Sequence, residues 1–314
     1  WRVVDASPLG NNMMRRALIT SLCLFASPAM AELEVVIVEG LGGEPRYAEQ
    51  FAEQVSAIEA AAGTLTQAGR IAVFRSGDFG RDELIAHFEE VSTRIGADDR
   101  LAVFLVGHGS YDDHEYKFNI AGPDITDTDL RDVLEGAGGR STLLVNTSSS
   151  SGATVDRLKA DDRTLILATR SGSERHATRF GGYFVAALSN SSADLDKNRI
   201  VSAEEAFRFA ERQVSDYYER NGQLATEHPR LEGSQAARFS LARLDASRPS
   251  REDDQLSVML NRRDVLNDEI DALRLRRDSM TTETYQAELL EKMIELATLE
   301  DEIELREQEL SNDN

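Results

Sequence analysis

The chain has 314 residues and a formal net charge of −21, with 56 acidic and 35 basic side chains. So acidic a chain disfavours nucleic acid as a partner, because it would repel the phosphate backbone. The length is enough to bury a hydrophobic core and is typical of one or two domains. The one cysteine, Cys23, lies near the N terminus, so the residues after it can form no intramolecular disulfide.

The first 31 residues have the pattern of an export signal. Residues 1–12 show no periodicity, and we expect them to lie upstream of the native protein. In residues 13–31, two arginines precede a short apolar stretch that ends in the small-residue sequence Ser27–Ala31. This order is typical of a signal peptide, and the apolar stretch is shorter than the roughly 20 residues that span a bilayer. We therefore predict cleavage after Ala31, a periplasmic or secreted location, and no membrane span.

Residues 32–243 have the pattern of an α/β domain. Nearly continuous apolar runs predict strands that are buried on both faces of a sheet, at residues 34–39, 71–75, 101–106, 142–146 and 164–169. Other segments keep apolar residues three and four positions apart and predict amphipathic helices, at residues 47–62, 82–95, 127–134, 183–188 and 203–218. The alternation of the two patterns predicts helices around a largely parallel sheet.

The C-terminal part of the chain has a different composition. Residues 244–250 contain Pro249 and small polar residues without periodicity, which predicts a linker. Residues 251–314 hold 19 acidic and 8 basic residues, a net charge of −11. Two apolar stripes on either side of a polar turn at residues 278–282 favour an antiparallel, coiled-coil-like helical hairpin. This hairpin could form homo-oligomers, dock a protein partner, or lie solvated on its own domain.

Two polar turns follow neighbouring strands of the predicted sheet. His108 lies between glycines at the end of the third strand, and Ser149 lies in the serine run after the fourth. The carboxyl edge of a parallel sheet is where α/β proteins place ligands and catalytic groups. A histidine and a serine at this edge could act as base and nucleophile, but serine runs also occur in ordinary polar turns. The residues alone leave both interpretations open.

The same turns resemble those of the caspase and legumain group of cysteine peptidases and its gingipain-like bacterial relatives. The resemblance covers about residues 33–235 and includes His108-Gly109, the turn ending in Ser151-Gly152, and Phe180-Gly181-Gly182 before a helix. It implies a caspase-like α/β/α sandwich. It also implies that His108 and Ser149 occupy the positions of the catalytic histidine and cysteine, and that Gly109 occupies the oxyanion position.

A serine at position 149 changes the chemistry that this resemblance implies. A cysteine beside a histidine supplies a thiolate, whereas a serine hydroxyl needs a well-oriented base and normally an acid that orients that base. The sequence identifies no such acid for His108, although Asp112 and Asp113 lie nearby. We therefore expect a non-proteolytic homologue that binds a protein partner through the peptidase cleft or the hairpin. The alternative is a hydrolase with Ser149 as nucleophile and His108 as base.

Residues 194–205 follow the pattern of an EF-hand calcium loop. Oxygen-bearing side chains stand at positions 1, 3, 5, 9 and 12, and position 7 offers a backbone carbonyl. The ligands would be Asp194, Asp196, Asn198, Ile200, Ser202 and Glu205. Arg199 departs from the pattern, because position 6 is normally a glycine with positive φ. The loop is expected either to bind calcium weakly or to be an acidic turn that caps the next helix. No other cofactor is expected.

Overall fold

The computed structural model describes residues 32–96, 98–136, 141–244 and 254–312. The predicted signal peptide with its cleavage site, the upstream segment, and residues 245–250 of the predicted linker lie outside the described residues. Within the described ranges, no helix combines the length and apolar character needed to cross a membrane.

Strands and helices alternate along the first half of the domain. They are β1 (Leu33–Glu39), α1 (Pro45–Ala62), β2 (Ile71–Phe74), α2 (Arg81–Arg94), β3 (Arg100–Val106), β4 (Gly109–Tyr111), β5 (Tyr116–Phe118), β6 (Ile125–Thr126) and α3 (Asp127–Gly136). The second half and the C-terminal helices follow as β7 (Ser141–Asn146), α4 (Val155–Leu158), β8 (Arg163–Leu167), α5 (Phe180–Ala187), β9 (Ile200–Ser202), α6 (Ala203–Arg220), β10 (Arg230–Glu232), β11 (Ser240–Arg243), α7 (Asp254–Leu275) and α8 (Thr282–Asn312).

The central sheet of the described residues has six strands in the order β10-β8-β7-β3-β1-β2. Neighbouring strands are parallel, except that β10 at one edge runs antiparallel to β8. The predicted strands and the mostly parallel sheet are therefore confirmed. The sequence did not predict β10, the small antiparallel sheet β4-β5-β6, or the β9-β11 pair.

Helices cover both faces of the sheet, which explains why its strands are nearly continuous apolar runs. On one face, Val35 and Ile37 of β1 pack in a cluster with residues of α1, α5 and α6. On the other face, Val36 and Val38 pack in a cluster with residues of α2 and α3. The alternation along β1 follows from the period of two in a strand. This α/β core fixes the carboxyl ends of β3 and β7, where the predicted histidine and serine lie.

Helices α7 and α8 form a hairpin with its own small core. Leu266, Ile270 and Leu296 are buried between the two helices, as the apolar stripes predict. The hairpin also contacts residues 194–205 of the α/β domain, hereafter the acidic loop. The guanidinium of Arg274 lies 3.8 Å from a carboxylate oxygen of Asp196.

Candidate functional site

The turns that carry His108 and Ser149 lie against each other at the carboxyl edge of the sheet. Strands β3 and β7 are adjacent, with Leu105 paired with Asn146. A Cβ atom on Gly109 would lie 2.6 Å from Ser148 Oγ and 2.7 Å from the carbonyl oxygen of Ser149. Contacts this short are not tolerated, so the close approach of the two turns requires glycine at position 109.

The hydroxyl of Ser149 is engaged within the protein. It donates a hydrogen bond of 2.7 Å to the carbonyl oxygen of Gly109, and the residue is 5% exposed. Among the described residues, no hydrogen bond joins this hydroxyl to the ring of His108. A nucleophilic serine must instead give its proton to the base during attack. In this arrangement a backbone oxygen takes the position of the proton acceptor.

The imidazole of His108 is held by aromatic side chains. Its ring makes edge contacts with Tyr47 and Phe51 of α1, with centroid distances of 4.8 and 5.0 Å. The two nearby acids have other partners: Asp112 accepts hydrogen bonds from the amides of its own turn, and Asp113 lies 3.1 Å from Arg175. In the part of the chain that the structure describes, no carboxylate hydrogen bond orients the imidazole.

A buried polar network lies beneath the serine turn, residues 147–152, and the sequence did not predict it. Tyr116 Oη lies 2.6 Å from Ser148 Oγ and accepts a hydrogen bond of 3.0 Å from the side-chain Nδ2 of Asn146. Ser148 Oγ also donates to Asn146 Oδ1 at 2.8 Å. Burial raises the pKa of Tyr116 to about 12, so the phenol stays protonated at neutral pH. The network anchors the serine turn to β5 and β7.

The remainder of the serine turn is equally constrained. Ser150 has φ of 57° in the left-handed region, and its amide donates to the carbonyl of Glu174 at 2.8 Å. The amide of Gly152 donates to Thr169 Oγ1 at 2.9 Å. A Cβ on Gly152 would lie 2.3 Å from backbone atoms of Arg170 and Ser171, so only glycine fits there.

Glu227 is a further buried acid that sequence patterns did not reveal. Its carboxylate accepts hydrogen bonds from the amides of Arg179 and Phe180 at 2.8 to 3.0 Å, and from the hydroxyl of Tyr218 at 3.2 Å. These amides open α5, where a carboxylate satisfies unpaired N–H groups. Burial raises the pKa of Glu227 despite these hydrogen bonds. Its distance along the chain from α5 explains why no local motif identified it.

The acidic loop brings its predicted carboxylates together. Oxygen atoms of Asp194, Asp196 and Glu205 lie within 4.8 Å of one another. Their cluster is partly satisfied by the loop itself: Asp194 Oδ2 accepts from the amide of Arg199 at 2.8 Å, and Glu205 Oε1 accepts from the amide of Leu195 at 2.8 Å. Burial, followed by the charges of Asp196 and Glu205, raises the pKa of Asp194 to about 6.

The loop also has the predicted helix cap. Ser202 Oγ accepts from the amide of Glu205 at 3.3 Å, and Glu205 Oε2 accepts from the amide of Ser202 at 2.9 Å. This reciprocal capping box begins α6. Asn198 Oδ1, at the fifth position, accepts from the amide of Ile200 at 2.7 Å.

Arg199 adopts the conformation that the EF-hand pattern demands of its sixth residue. Its φ is 63°, in the left-handed region where glycine is normally found. Its guanidinium lies 3.9 Å from Glu300 of α8. Arginine in place of glycine at this position therefore still has the positive φ that the EF-hand pattern requires there.

Comparisons with known proteins give little guidance. No family model matches the chain, and no curated protein sequence matches it. Among solved structures, protein GSU0716 from Geobacter sulfurreducens is similar, with 13% identity and a TM-score of 0.45, over 68% of this chain and 97% of that one. This likeness is too distant to assign a family or a function.

Proposed function

We propose that this chain is an exported, non-proteolytic relative of the caspase and legumain peptidases, and that it acts as a binding module in the periplasm or outside the cell. The observation that carries the proposal is the hydrogen bond from Ser149 Oγ to the carbonyl oxygen of Gly109. Because the hydroxyl has a backbone acceptor and none of the described carboxylates orients His108, the roles of a serine-dependent hydrolase are not filled among these residues.

The proposed caspase-like fold is supported by the position of the two turns. Adjacent parallel strands β3 and β7 end in the His108-Gly109 turn and the Ser149 turn, and the sheet carries one antiparallel edge strand. The helix that begins at Phe180 follows on the same face as α1. These features agree with what the sequence resemblance implies, with Ser149 in place of the cysteine.

The decisive experiment measures whether Ser149 is activated. Purified protein is treated with a fluorophosphonate probe and, separately, with a diverse peptide library. We expect no labelling of Ser149 and no cleavage. Labelling or turnover that disappears in both Ser149→Ala and His108→Ala would establish the alternative, a serine hydrolase. Arg220→Gln, at an exposed position of α6, serves as the matched control.

We also propose that residues 194–205 bind calcium. The donor set fits this ion, because Ca²⁺ prefers several oxygen ligands and tolerates flexible geometry. Asp194, Asp196 and Glu205 would supply carboxylates, with Asn198, Ser202 and the carbonyl of Ile200 completing the set. The clustering of three carboxylates within 4.8 Å favours this role over a helix cap alone. Calorimetry with CaCl₂ tests this proposal. The absence of both a heat of binding and a change in Tm would contradict it.

A further inference from the structure

Helix α8 presents a second apolar stripe on the face that turns away from α7. Leu290, Ile294 and Leu305 are 61%, 59% and 61% exposed, and Met293, at 44%, lies between this stripe and the buried seam. Residues three, four and seven positions apart share a face of a helix. Exposed apolar groups gathered on one face mark interaction surfaces more often than scattered ones do. The described residues include only a few other large apolar side chains as exposed as these.

The stripe is distinct from the seam of the hairpin. Leu296 and Ile303 of α8 are buried, at 5% and 0% exposure, and Leu296 packs on Leu266 and Ile270 of α7. At 100° per residue, Leu290, Ile294 and Leu305 lie about 120° or more around the helix from Leu296 and Ile303. Contacts within the hairpin therefore leave it uncovered.

Carboxylates border the stripe. Glu291 neighbours Ile294 at a spacing of three residues, and Glu302 neighbours Leu305 at the same spacing. In the described part of the chain, no lysine or arginine pairs with Glu291, Asp301 or Glu302. The basic residues of the hairpin that do pair have other partners, as Arg262 with Glu295 and Lys292 with Glu269 show.

We propose that this stripe binds a basic amphipathic helix of a partner protein. Leu290, Ile294 and Leu305 would bury its apolar face, and Glu291 and Glu302 would face its lysines and arginines. A helix is the favoured occupant because Leu290, Ile294 and Leu305 fall within about 60° of one another around α8 over 15 residues, about 22 Å. Asp301 lies on the same face between Ile294 and Leu305, where it would meet a basic residue of the partner. A second copy of this chain is disfavoured, because its hairpin carries a net charge of −11 and would bring like charges together.

This inference rests on the proposed binding role and names the chemistry of the partner. The probe is a fluorescein-labelled 21-residue helical peptide, with leucines spaced three and four apart and lysines beside them. Its binding to the full chain is followed by fluorescence anisotropy. We expect Leu290→Ala with Ile294→Ala to weaken binding about tenfold, and Glu291→Gln with Glu302→Gln to weaken it about threefold and reduce its salt dependence.

Two controls separate the stripe from general stickiness. Leu224→Ala removes a leucine that is 92% exposed on the loop after α6, and it should leave the affinity unchanged. A peptide with glutamates in place of the lysines should not bind. Absence of binding, equal binding of the acidic peptide, or equal loss in Leu224→Ala would overturn the inference. So would sedimentation that reveals a dimer abolished by the stripe variants, because a second copy would then cover the stripe.

Peptide hydrolysis assayed on the same preparation distinguishes this inference from the proposed function. Absence of both turnover and peptide binding overturns the docking surface and leaves the non-proteolytic role standing. Turnover that needs Ser149 overturns that role, and stripe-dependent peptide binding would then support the docking surface independently. Alanine at positions 290 and 294 favours helix, so loss of fold is not expected, and circular dichroism verifies the helix content.

Discussion

The serine turn at residues 147–152 and the acidic loop at residues 194–205 are both polar segments of the α/β domain, but their oxygen atoms have different partners. In the serine turn, the hydroxyls of Ser148 and Ser149 and the amides of Ser150 and Gly152 are bonded to groups of the protein. In the acidic loop, three carboxylates lie within 4.8 Å of one another. A hydroxyl that already donates its proton to a backbone carbonyl is poorly placed for nucleophilic attack, whereas clustered negative charges favour a cation even though loop amides also donate to them.

The largest expected effect concerns the tight packing of the serine turn. Gly152→Ala should lower the free energy of unfolding by about 3 kcal/mol, because its methyl group would meet the backbone at Arg170 and Ser171. Gly69→Ala is the matched control, since a Cβ there meets nothing within 4 Å. Urea denaturation measures both. An equal response of the two variants would contradict a rigidly packed turn.

The next effect separates two adjacent serines. Ser148→Ala should cost about 2 kcal/mol of unfolding free energy, because it breaks the buried network with Tyr116 and Asn146. Ser149→Ala should cost about 1 kcal/mol, since it removes one hydrogen bond to Gly109. The same denaturation assay ranks them. A larger cost at Ser149 would refute the assignment of the anchoring role to Ser148.

The acidic loop should respond to calcium in a pH-dependent way. The pKa of Asp194 is raised to about 6, so without metal the fold should lose stability as pH rises from about 4 through 6 and the carboxyl ionises. Calcium requires the ionised form, so its stabilising effect on Tm should be larger at pH 7.5 than at pH 5.5. Thermal unfolding with and without CaCl₂ measures this difference.

The same experiment has a matched pair of variants. Asp194→Asn should abolish the calcium-dependent rise in Tm, whereas Asp82→Asn, at a side chain that is 97% exposed on α2, should preserve it. A calcium response that survives Asp194→Asn would place the ion elsewhere.

The smallest effect is expected at the residue that departs from the EF-hand pattern. Arg199→Gly relieves the positive φ of 63°, a conformation that an arginine adopts at a cost and glycine adopts freely, so calcium affinity should rise about threefold. Arg220→Gln removes a charge that pairs with Asp216 outside the loop and should change the affinity little. Calorimetry compares them. Weaker binding in Arg199→Gly would mean that the arginine helps to hold the loop in shape.

Much of the fold follows from local patterns in the sequence. The runs at residues 34–39, 101–106 and 142–146 are strands because both of their faces are covered, and the stripes after residue 254 form two helices. The short strands β4 and β9 escaped prediction, because three residues carry too little periodicity to distinguish a strand from a turn.

The candidate sites divide in the same way. The clustering of carboxylates in the acidic loop could be predicted from their spacing within twelve consecutive residues, because a short loop leaves few ways to arrange them. Only the tertiary structure decided that Ser149 donates to Gly109, and that Glu227 caps α5. The sequence supplies the types of polar group, but many acceptors compete for each donor, and packing between residues far apart in the chain selects among them.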